Sequence, residues 1–93
     1  MSEHAYVDPA KLEEFAVDLN GFAVATDNAT DRLLTALSSL SRSWEDQAFD
    51  QFQQSVRGLA QTLLTFVGDA ERFSVYLKNK SEEARQIHQM NQP

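Results

Sequence analysis

Apolar and small residues recur along the first part of the chain at Leu12, Phe15, Leu19, Phe22, Thr26, Ala29, Leu33, Ala36 and Leu40, in steps that alternate between three and four. Such steps keep one stripe of an α-helix apolar, and their strict alternation is the heptad form that packs helix against helix. A second ladder of the same kind runs Phe49, Phe52, Val56, Leu59, Leu63, Phe66, Ala70, Phe73, Leu77, Lys80, Ala84 and Ile87. Asp8 followed by Pro9 reads as a helix start, because Asp can cap free amides and Pro loses nothing at the first helical position. The pattern therefore predicts a helix over about 9–41, a turn over about 42–45 and a helix over about 46–88, all in one domain spanning 1–93. Ser43 is the expected cap of the second helix, with Glu45 and Asp46 in its first turn; Asp46 is the rival cap.

Two helices joined by so short a turn fold back on each other, so the expected class is all-α: an antiparallel two-helix hairpin. With Leu40 opposite Phe49, the layers become Ala36 with Phe52, Ala29 with Leu59, Thr26 with Leu63 and Leu19 with Ala70. Phe22 then meets Phe66, and Phe15 meets Phe73. Small faces large in four layers, as interdigitated packing prefers. On this reading the hairpin core is Phe15, Leu19, Phe22, Leu33, Phe52, Leu59, Leu63, Phe66 and Phe73. Gly58 and Gly68 fall off the seam, where each costs the helix about 1 kcal/mol relative to Ala. From about residue 80 the second helix outruns its partner and is expected to be solvated, fraying toward Pro93.

Beside the first seam lies a column of Ala16, Ala23, Thr30 and Leu37, flanked by Val17 and Val24; beside the second lie Ala60, Val67 and Leu64. A hairpin closed on its Phe seams leaves this column exposed, and small residues admit a close neighbour. Ala16, Ala23, Thr30, Leu37, Ala60 and Val67 are thus the expected dimer face, two hairpins making a four-helix bundle.

Composition narrows the chemistry. A net charge of −6 makes nucleic acid and anionic membranes poor partners, since nothing neutralises phosphates in bulk. With no cysteine, thiolate chemistry and Cys-ligated metal are excluded. No apolar run is long enough to span a bilayer, and the first residues lack the basic and apolar regions of a Sec-type signal peptide. Glu45, Asp46 and Asp50 sit at a bundle tip with no pocket to desolvate them, so a solvated cluster matched to the helix dipole is expected. His4 and His88 stand at opposite ends without metal-ligand spacing. No nucleophile–base pair or phosphate loop is visible, so neither an enzyme nor a cofactor is expected.

A helical hairpin of this length with Trp44 in the turn, Ala48 four residues on and Phe52 eight on resembles the WXG-hundred family of type VII (ESX-type) secretion. The family consensus Trp-x-Gly-x-Ala-x-x-x-Phe is matched at those three positions, with Asp46 in place of the motif Gly. The resemblance implies a non-enzymatic dimer with itself or with a similar hairpin, exported folded without a Sec signal from the cytoplasm where it is made. It also implies a partner or adaptor role toward a larger secreted effector and the secretion ATPase. The family's export signal pairs the Trp turn of one chain with a Tyr-x-x-x-Asp/Glu segment of its partner. Here Tyr76 is followed four residues later by Lys80, so the chain either relies on a heterologous partner or is not itself exported. The alternatives are a cytoplasmic coiled-coil dimerisation module and a needle-type subunit of another secretion apparatus.

Overall fold

The structure, a computed structural model, describes residues 7–90. Two helices account for nearly all of them: α1 (Pro9–Leu40) and α2 (Gln47–Met90). His4 and Pro93 lie outside the described residues.

The start of α1 follows local chemistry. Asp8 is extended and accepts the Ala10 amide on Oδ1 at 3.0 Å, and Pro9 occupies the first turn, where no amide is needed. At the other end the Leu40 carbonyl accepts the amides of Ser43 and Trp44, at 3.0 and 3.1 Å, which bends the chain out of the helix. The cap of α2 is Asp46, not Ser43. Its Oδ1 accepts from the amides of Ala48 at 2.8 Å and Phe49 at 3.2 Å, whereas the Ser43 hydroxyl donates backward to Leu40. Asp46 stands immediately before the first helical residue, close enough for its short side chain to reach the free amides.

The helices run antiparallel. Phe22 meets Phe66 edge to face with centroids 5.5 Å apart, the Ser74 hydroxyl donates to the Ala16 carbonyl, and Ser81 donates to the Pro9 carbonyl. Leu19 packs on Ala23, Val67 and Ala70. The expected pairing of Phe22 with Phe66 is therefore found, and Leu19 lies against the buried cluster that contains Ala70.

Which column faces inward is the reverse of the expectation. Ala16, Ala23, Thr30, Leu37, Ala60 and Val67, read as a dimer face, are buried between the two helices. Phe15, Phe22, Phe52, Leu59, Phe66 and Phe73, read as the core, are exposed, Phe15 and Phe73 at 59%. Leu19, Leu33 and Leu63, also read as core, lie half-buried between the two columns. Small side chains let the axes approach closely, which brings more atoms into contact and allows Ser74 and Ser81 to reach backbone oxygens across the gap. The rings of Phe15, Phe22, Phe52, Phe66 and Phe73 are too large for that gap and stand along one face, whereas Phe49 is buried beside the turn. Thr30 tolerates burial because its hydroxyl donates to the Thr26 carbonyl at 2.7 Å.

The pairing also extends further than the ladder suggested. Ser81 is buried, and Arg85 forms a two-pronged ion pair with Glu13, so α2 remains held well past residue 80. Among the described residues no helix is long and apolar enough to cross a membrane.

Candidate functional site: an apolar face and its indole-capped end

The hairpin measures 73 × 24 × 13 Å, so it is a single layer of helices. A single layer has two broad faces: one carries the exposed aromatic rings, and the other carries exposed Val17, Val24, Leu64 and Val75. Phe15, Phe22, Leu59, Phe66, Phe73 and Leu40 are all more than a third exposed along the aromatic face. Near the middle, Ala25 and Ala29 floor a shallow trough bounded by Phe22, Leu33 and Leu63. A second trough, toward the turn, is lined by Ala36, Leu40, Phe52 and Val56. Exposed apolar surface this continuous is uncommon on a protein that works alone.

Trp44 closes the turn end of this face. It is half-buried, with its ring centroid 5.4 Å from buried Phe49 and 5.5 Å from exposed Phe52. The indole therefore both packs the hairpin end and continues the apolar surface. Ala48 and Asp46 are exposed beside it. The backbone needs no left-handed residue here: among the described residues none takes a positive φ, so Asp46 serves as a cap rather than as a stand-in for glycine's conformational freedom. Glu45, Asp46 and Asp50 are exposed, and Asp50 lies in the first turn of α2. Their negative charge suits the positive end of the helix dipole.

At the opposite end the polar chemistry is structural. Arg85 Nη2 donates to Glu13 Oε1 at 2.8 Å, and Nη1 donates to the Ser81 hydroxyl at 3.2 Å. The hydrogen bond from Arg85, aided by its charge, holds the Glu13 carboxyl below the usual range, and the same contact raises the Arg85 guanidinium. Lys80 Nζ lies 5.9 Å from the centroid of the exposed Tyr76 ring and pairs with Glu83 at 3.4 Å. The fourth position after Tyr76 thus presents a cation held over the ring, where the secretion pattern has an acid. No group of three or more His, Asp or Glu that could hold a metal occurs among the described residues.

Sequence reasoning placed the Phe ladder correctly but assigned it to the interior. The count of large rings was a usable signal: a hairpin has one narrow gap to fill, and six Phe exceed it. No family model matches the chain, and no curated protein or solved structure matches it either.

Proposed function

We propose that this chain is a non-enzymatic helical hairpin of the type VII secretion system, an exported substrate or adaptor that acts as a dimer within a four-helix bundle. The observation that carries the reading is the continuity of the Trp44 indole with the exposed Phe face through Phe52. An exposed aromatic stripe needs a partner, and a turn tryptophan at its end gives that assembly a distinct tip. The partner of this face is a second helical hairpin, the same chain or a similar one, because a flat face two helices wide is best covered by its own kind. The assembly would present its tip to the secretion ATPase, with or without a larger effector.

Lys80 over Tyr76 favours one version of this reading. A cation in place of the acid leaves every copy of the chain without the second half of the export signal, so in this version that half comes from a similar hairpin of different sequence. The alternative, a cytoplasmic dimerisation module, uses the same face and assigns Trp44 to packing alone.

The deciding experiment is export from the cell that encodes the protein. Trp44→Ala should abolish appearance in the culture medium while far-ultraviolet circular dichroism remains helical. Secretion that persists in that variant, or that is absent from the parent under every condition, would falsify the secretion reading.

A further inference from the structure

The face opposite the rings is divided by charge along the seam between its two helices. On the α1 side Val17, Val24 and Asp31 share one heptad column, and Glu13 and Asp27 share the next; every charge is acidic. On the α2 side Arg57, Leu64, Glu71, Lys78 and Arg85 recur at sevens, with basic residues in the majority. The α2 side also carries a shallow hollow lined by Gly68, Glu71, Arg72 and Val75. The hollow exists because Gly68 has no side chain; a Cβ there would meet only the Arg72 guanidinium, at 3.6 Å. Ala16 lies level with Ser74, whose hydroxyl donates to its carbonyl, so exposed Val17 stands level with the hollow.

We infer that this second face packs against the same face of another copy, about a two-fold axis parallel to the long axis of the hairpin. The contact is separate from the ring-face dimer of the proposed function, so a hairpin covered on both sides builds assemblies larger than a dimer. Turning the hairpin about that axis lays α1 over α2 of the partner subunit and keeps every level in place. Val17 then fills the hollow beside the partner's Gly68, and Val24 rests against the partner's Leu64. Asp31 comes beside the partner's Arg57. Glu13, whose carboxylate already holds Arg85, faces the partner's Lys78. Each contact occurs twice by symmetry.

Charge selects this axis. A two-fold axis perpendicular to the helices lays α1 over α1, one acidic strip on another, which like-charge repulsion opposes. The parallel axis sets Glu71 against the partner's Asn20 and Glu82 against the partner's Ala10, so neither acid meets an acid. Asp31, Arg57 and Lys78 are exposed, and among the described residues none of them enters an ion pair within the hairpin. From Ala10 to Ser38 the face is roughly 40 Å long and about 20 Å wide, on the order of 800 Å² per chain. That is one partner's share of an interface of standard size. Its centre holds valine, leucine and glycine in place of rings, so it is the weaker of the two contacts.

The chain has no cysteine, which makes one test direct. Leu64→Cys should give a disulfide-linked pair under mild oxidation, since the axis runs along the seam beside it. Thr65→Cys, on the outer edge of α2, should not, because the axis sets its copies about 20 Å apart, two helix widths. Sedimentation of the full chain at rising concentration should show species larger than a dimer. Asp31→Arg and Arg57→Asp should each weaken that step about tenfold, through two like-charge contacts apiece, and the double variant should recover it. Charge variants that assemble as the parent does overturn the inference. A parent that stops at a dimer linked through Leu64→Cys supports this contact and removes the ring-face dimer from the proposed function. One that stops at a dimer without that link overturns the contact and leaves the proposed function standing.

Discussion

Ser74 donates its hydroxyl to the carbonyl oxygen of Ala16 across the hairpin at 3.1 Å, and both residues are buried. So short a reach between a serine and another helix's backbone requires closely approaching axes, which only the small column of Ala16, Ala23, Ala60 and Ala70 permits. The close approach is what holds the two helices together, and it is also what leaves the Phe rings outside.

Enlarging that column should therefore hurt far more than shrinking the Phe face. Ala23→Leu places a branched side chain at a fully buried site and should cost about 1–3 kcal/mol by forcing the helices apart. Phe15→Ser, at a ring 59% exposed, should change the stability of the isolated hairpin little while weakening self-association. Urea unfolding at high dilution and sedimentation of the same two variants separate the effects; equal losses in both assays would return the Phe ladder to the interior.

Glu13 gives the hairpin a pH dependence of known sign. Its carboxyl is held below the usual value chiefly by the hydrogen bond from Arg85. A depressed carboxylate contributes stability that is present above its unfolded pKa, about 4.3, and lost as pH falls through the lower folded value. Thermal midpoints should fall more steeply below about pH 4.5 in the parent than in E13Q. Identical slopes would show that the ion pair contributes nothing in solution, as exposed pairs sometimes do.

Asp46 caps two amides of α2, so Asp46→Ala should cost about 0.5–2 kcal/mol. Asp46→Gly, the residue of the secretion motif, should recover most of that loss, since Gly at a cap is poorer by only a few tenths of a kcal/mol. Thermal melts followed by circular dichroism would check the order; equal midpoints for Asp and Ala would deny the capping role.

Gly58 lies within α2 with nothing within 4 Å of where a Cβ would stand. Gly58→Ala should raise stability by about 0.5–1 kcal/mol, because Ala restricts the unfolded chain and fits the helix without strain. A lower midpoint in that variant would mean the position is covered in solution.

The three-four ladders, Pro9 after Asp8 and the short turn around Trp44 carried enough local information to determine two antiparallel helices, while the register with Leu40 opposite Phe49 was one choice among several. Phe22 faces Phe66 because turn length sets which levels align, and that is a property of chain order. The inward column was decided only in three dimensions. Phe15 and Ala16 are neighbours about 100° apart on the helix, and both head heptad columns, so periodicity alone cannot say from which side the second helix arrives. The answer came from the size of the gap along most of the hairpin: Ala and Ser fit between two close axes, and the rings of Phe15, Phe22, Phe66 and Phe73 do not. The long reach of Arg85 to Glu13 and of Ser81 to Pro9 was hidden for the same reason, since polar side chains that bridge the two chain ends leave no mark in an apolar pattern.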